Sequence, residues 1–227
     1  MSGALPFLKA RWSTESVPDP DSDLIVLLHG YGSNEDVILR QVAPHLAGDI
    51  RIASLRGPIA EGRGFAWVSM QDSRAAQTTD AIRTIARSAA QPLLSWLDSQ
   101  PPFRSTGLFG VSQGAVMALH LLRLAPSRFS YAVNLSGYVL AGEEAGDSTL
   151  RAIRPPVWWG RGQNDDVIPA DYVERTRTWL PAHTRPISKV YDTGHEETTE
   201  KFIDAAAFVH SVTSAQAGDP HPSTLTT

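Results

Sequence analysis

The chain predicts an α/β fold with a mostly parallel central sheet and helices on both faces. Three observations lead there. Residues 24–28, Leu-Ile-Val-Leu-Leu, form an unbroken apolar run of the kind found in a strand buried on both faces. Short apolar runs alternate with stretches of helical periodicity along almost the whole chain. The 227 residues are 42% hydrophobic and 19% charged, an ordinary globular mixture long enough for one substantial core.

The elements follow in order. After the first run, Ser33, Asn34, Glu35 and Asp36 offer capping chemistry for a helix through Val37, Leu39, Val42 and Leu46. Residues 50–55 read as a strand. Residues 56–74 read as a glycine-rich loop carrying Phe65 and Trp67, longer than most connections in α/β units. Ile82, Ile85, Ala86, Ala89, Leu93 and Leu97 recur at helical spacing, so residues 78–97 predict one amphipathic helix that Pro92 should kink or split. A strand at 106–109 precedes a helix at 113–125, stopped by Pro126. Residues 132–135 and 157–159 predict two more strands, separated by about twenty loop residues. A helix at 171–180, a strand at 187–191 and a helix at 198–212 complete the alternation. The expected organisation is a single domain over residues 1–214, followed by a disordered tail, 215–227, rich in Pro, Ser, Thr and Gly.

Composition excludes several classes of function. A net charge of −4 and scattered basic residues give no electrostatic footprint for nucleic acid or an anionic membrane surface. Without cysteine there are no disulfides, thiolate metal sites or cysteine nucleophile. No apolar stretch approaches the roughly 20 residues of a membrane helix, and the N-terminus lacks the features of a signal peptide, so no integral membrane association and a cytoplasmic location are expected. His195-Glu196-Glu197-Thr198-Thr199 has threonine where a zinc motif needs its second histidine. Gly30-Tyr31-Gly32-Ser33-Asn34-Glu35 has glutamate where a dinucleotide motif needs its third glycine.

The chemistry-bearing motif is Gly110-Val111-Ser112-Gln113-Gly114, a G-x-S-x-G between an expected strand and an expected helix. A sharp turn there lifts the serine Oγ above the strand ends, and glycines two positions either side remove Cβ atoms that would clash. Serine needs a base, oriented in turn by a carboxylate. Of the seven histidines, His195 follows the last expected strand at its carboxyl end, where a base can meet Ser112. The acid should come from the loop after the preceding strand, where Asp165 and Asp166 are adjacent candidates. An oxyanion hole needs two N–H donors. The backbone of Gln113 supplies one, and Tyr31 in His29-Gly30-Tyr31-Gly32 is the candidate for the other, with His29 as a structural hydrogen-bonding residue. Phe65 and Trp67 are candidates for walling a substrate groove, or else anchor their loop to the core.

Together these segments resemble the phospholipase/carboxylesterase family of α/β-hydrolases, the group that includes bacterial carboxylesterases and acyl-protein thioesterases. The matching pieces also include Leu55-Arg56-Gly57-Pro58, Leu135-Ser136-Gly137, Gly162-Gln163-Asn164-Asp165 with Val167-Ile168-Pro169, and Gly194-His195. They run in family order from about residue 20 to residue 212. The resemblance implies an α/β-hydrolase fold and a triad of Ser112, Asp165 and His195, choosing Asp165 over its neighbour. It also implies no cofactor, and hydrolysis of small-molecule esters of short to medium acyl chains. Thioesters or lysophospholipids are the alternative substrates, and a non-catalytic binding protein on the same fold is the remote one. A homodimer is compatible with this reading. Val111 and Arg161 depart from the residues common in the family at those positions, which bears on substrate preference. Too few residues separate Leu135 from Val157 for a large cap domain, so an open acyl groove is expected.

Overall fold

A computed structural model describes residues 8–14, 19–46, 48 and 50–217. Seven strands form one sheet: β1 (Ala10–Trp12), β2 (Asp23–Leu28), β3 (Ile50–Leu55), β6 (Ser105–Val111), β7 (Tyr131–Leu135), β8 (Pro156–Gly162) and β9 (Arg185–Tyr191). Their spatial order is β1-β3-β2-β6-β7-β8-β9, and every pairing is parallel except that of β1 with β3. The remaining strands, β4 (Ile59–Glu61) and β5 (Gly64–Ala66), form a separate antiparallel hairpin.

Helices α1 (Glu35–Val42), α2 (Met70–Ala75), α3 (Thr79–Asp98), α4 (Gln113–Leu124), α5 (Asp147–Ile153), α6 (Ala170–His183) and α7 (Thr199–Ala217) surround the sheet. Two large apolar clusters form most of the core, beside a small one of Ala86, Val116 and Leu140. One large cluster packs Leu24, Val26 and Leu28 of β2 against α3 and α4; the other packs Ile25, Leu27 and Phe109 against α1 and α7. Strand β2 is buried at every position, because helices cover both faces of a central parallel strand. The expected α/β sandwich with a mostly parallel sheet is therefore present.

The differences from expectation are local. The antiparallel edge strand β1 was not foreseen. Residues 56–74 are not an irregular loop but the β4–β5 hairpin followed by most of α2, in segments too short for periodicity to reveal. Helix α3 continues unbroken through Pro92, which is itself buried. The expected loop between β7 and β8 contains α5. Arg123, fully buried, holds this segment down: it donates to both Asp147 carboxylate oxygens (2.8 and 2.7 Å) and to the carbonyl of Leu140 (2.8 Å). Helix α7 runs to Ala217, so the first three residues of the expected tail are helical; the rest of the tail, residues 218–227, lies outside the described residues. Among the described residues, no helix is long and apolar enough to cross a membrane.

Candidate active site

The site is assembled at the carboxyl ends of β2, β6, β8 and β9. Ser112 follows β6 and caps α4 with φ 51° and ψ −115°, a conformation that only a tightly constrained turn holds in a non-glycine residue. Its N–H donates to the Leu135 carbonyl at 2.8 Å, tying the turn to β7. The flanking glycines are required by close approach. A Cβ on Gly114 would lie 2.0 Å from the Leu28 carbonyl oxygen, and one on Gly110 would lie 2.3 Å from the Gly114 carbonyl oxygen. The amino end of α4 adds a favourable field for negative charge developing at Ser112.

Ser112 Oγ lies 2.9 Å from His195 Nε2, and His195 Nδ1 lies 2.8 Å from Asp165 Oδ2. The carboxylate only accepts, so the proton sits on Nδ1 and the Nε2 lone pair faces the serine hydroxyl. The other oxygen of Asp165 accepts the backbone N–H groups of Val167 (2.9 Å) and Ile168 (3.1 Å), which fixes the carboxylate plane. Its side chain is 5% exposed, whereas Asp166 points into solvent. The geometry thus separates two aspartates that residue type alone left equivalent.

The loops after β8 and β9 are zipped together. Gln163 N–H donates to Tyr191 O and Asn164 N–H to Thr193 O (2.8 and 2.9 Å). Gly162 permits this, since a Cβ there would lie 2.0 Å from the Gly194 carbonyl oxygen.

The loop after β2 lies against the serine; a Cβ on Gly30 would sit 3.5 Å from Ser112 Cβ. Within it, Gly32 N–H donates to Phe65 O (2.9 Å) and Ser33 N–H to Gly30 O (3.2 Å), while Phe65 N–H returns to Ser33 O (2.7 Å). The β4–β5 hairpin therefore clamps the loop that carries the Tyr31 amide. His29 is fully buried and accepts the Gly57 N–H at Nε2 (2.9 Å), so Nδ1–H donates to Gly30 O (2.8 Å). Burial lowers its pKa and keeps it neutral, which fits the structural role expected of it.

The expectation for Trp67 needs correction. Trp67 is 1% exposed and belongs to the core, its indole N–H donating to the His29 carbonyl at 2.8 Å. It cannot wall an open groove from that position. Phe65 is half-buried, with the Arg56 guanidinium 4.3 Å above its ring. Trp67 anchors its segment to the core. Sequence reasoning missed the side chain of Gln113, whose Oε1 accepts the Trp67 N–H (2.8 Å) and whose Nε2 donates to Val68 O (2.7 Å). It staples the hairpin region to the residue after the serine. Nothing in the spacing of the chain signals this contact, which spans 46 positions.

No curated protein matches the chain significantly. Solved structures do. Esterase PE8 is 25% identical, with a TM-score of 0.71, covering 90% of this chain and 99% of its own. A carboxylesterase from Bacillus cereus is 18% identical (TM-score 0.64; 90% and 94% covered), and one from Mesorhizobium loti 20% identical (TM-score 0.61; 93% and 95%). The family described as Phospholipase/Carboxylesterase matches residues 10–213, from β1 into α7. With its sheet order and serine turn, the chain belongs to the phospholipase/carboxylesterase family of α/β-hydrolases.

Proposed function

We propose that the protein hydrolyses carboxylic esters of small molecules through an acyl-enzyme formed on Ser112. The observation that carries this reading is the unbroken series from Ser112 Oγ through the His195 imidazole to Asp165, with contacts of 2.9 and 2.8 Å. Ser112 attacks the acyl carbon as His195 takes its proton at Nε2, and Asp165 stabilises the imidazolium and holds its tautomer. The carbonyl oxygen, now negative, accepts from the backbone amides of Gln113 and Tyr31. Two neighbouring amides of the loop, those of Gly32 and Ser33, are already committed to carbonyls, which supports Tyr31 as the donor. His195 then protonates the departing alcohol, and water repeats the sequence on the acyl-enzyme.

The family supplies the general class, ester hydrolysis; the acyl length is set by this chain's own surfaces. With Trp67 in the core, acyl recognition falls to other groups around the serine. The test is turnover of matched activated ester, thioester and amide substrates, each over a series of acyl lengths. Ester turnover that rises to a short or medium acyl length supports the reading. Preferential thioester cleavage assigns the enzyme to the alternative substrate, and no turnover of any of them refutes it.

A further inference from the structure

Lys201, near the start of α7, is fully buried. An ammonium there needs partners, because transfer of an unpaired charge from water is strongly unfavourable. Its partners are unusual in their placement. Nζ donates to the carbonyl of Glu196 at 2.5 Å and reaches the carbonyl of Gly194 at 3.5 Å, the residues on either side of His195. The Tyr191 ring lies 5.9 Å away. The carboxyl of Glu197 faces the same space, buried beside the hydroxyl of Ser136. Burial raises the Glu197 pKa, and the charge of Lys201 is the leading influence in the opposite direction.

The loop bearing His195 has little apolar anchorage of its own, since Thr193, Gly194 and His195 are all half-buried. Helix α7, by contrast, is fixed to the sheet by buried Phe202, Ala205, Phe208 and Val209. A cation rooted in that helix and bound to both carbonyls restrains the peptide unit that enters His195 and the one that follows Glu196, so it brackets the short stretch that carries the imidazole. A contact between the Gly194 N–H and Glu196 Oε1 (3.1 Å) closes the same short stretch from its other side. We propose that Lys201 is a positioning residue, which sets the His195 imidazole between Asp165 and Ser112 by holding the carbonyls of Gly194 and Glu196. This rests on the esterase reading and adds to it a residue that touches neither the substrate nor the imidazole.

The test compares Lys201→Met, which keeps an apolar stem and removes the donor, with the double variant Lys201→Met/Glu197→Gln, which also removes the facing carboxyl. Lys189→Met, altering a half-buried lysine of β9 that pairs with Glu200 and Asp204, is the control. For each, kcat and KM on an activated ester, the melting temperature and the proton resonance of His195 Nδ1–H are measured. Both Lys201 variants should lose roughly 10- to 100-fold in kcat, the scale of a small misplacement of a reacting group, with KM changed by less than about twofold. The double variant should melt closer to the wild type than the single one, yet remain as slow. The His195 resonance should shift or broaden in both and stay unchanged in the control. A Lys201→Met enzyme with wild-type kcat overturns the proposal, as does a double variant whose kcat recovers together with its melting temperature. If the wild type shows no ester turnover, the esterase reading fails separately, and the His195 resonance still decides whether Lys201 orients the ring.

Discussion

Replacing Trp67 distinguishes a residue that touches substrate from one that holds the architecture around the serine. The indole is 1% exposed, packs 5.1 Å from the His29 ring and donates its N–H to the His29 carbonyl, while the backbone N–H of Trp67 donates to the Gln113 side-chain carbonyl. Truncation to alanine removes a large buried ring and leaves a cavity, a change that costs about 3–5 kcal/mol. For a domain of this size each kcal/mol lowers the melting temperature by about 2–4 °C, so Trp67→Ala should melt roughly 6–20 °C lower. Trp67→Phe keeps most of the packing but leaves the His29 carbonyl without its donor, a loss of about 1–3 kcal/mol. Thermal unfolding should rank the proteins wild type, Trp67→Phe, Trp67→Ala. Turnover of acetyl, butyryl and octanoyl esters, assayed well below the melting temperatures, should fall by a common factor in each variant. A selective loss for the longer esters in a protein of unchanged stability would refute this reasoning and place the ring in an acyl groove.

Other consequences are equally specific. Asp165→Asn should lower kcat by about 10⁴, by favouring the wrong imidazole tautomer, whereas Asp166→Asn should leave it within about twofold; steady-state kinetics on one activated ester decides. Arg123→Met strands the buried Asp147 carboxylate and should cost about 3–5 kcal/mol in urea unfolding, with little effect on kcat. Burial alone would raise the pKa values of Glu35, Glu144 and Asp147, but their partners, Arg56 for Glu35, Arg83 and Arg87 for Glu144, and Arg123 for Asp147, lower all three. The folded state therefore binds these protons more weakly than the unfolded chain. The resulting stability is fully present above the ordinary carboxyl values of 4.5 and 3.8 and is lost as pH falls through the lowered ones. Urea midpoints that stay flat from pH 6 to acid would contradict those ion pairs.

Much of the fold was legible because its signals are local. The apolar run of β2, the periodicity of α3 and the glycines around Ser112 each report a constraint acting within a few residues. Ser112 and His195 could be paired because chain order and strand ends restrict where a base can stand. Three-residue strands and a six-residue helix carry too few positions to display a period, which is why the β4–β5 hairpin and α2 read as loop. Trp67 was ambiguous for another reason. An aromatic residue on a loop suits a groove wall and a core anchor equally, and the choice depends on its contact with His29, 38 positions away. The roles of Gln113 and Lys201 are also invisible in one dimension, since a buried lysine looks like any helix-surface lysine until its helix is docked. The two aspartates are separated by which carboxylate reaches the imidazole, a matter of one residue in register.

The central claim is that Ser112 is the nucleophile, and covalent labelling tests it most directly. Wild-type protein treated with an alkyl fluorophosphonate should gain one adduct by intact mass, mapped by peptide sequencing to Ser112. Ser112→Ala should gain none and should lose about 10⁴ to 10⁶ in kcat on an activated ester. An adduct on another residue, or a Ser112→Ala enzyme retaining a tenth of wild-type turnover, would contradict the account.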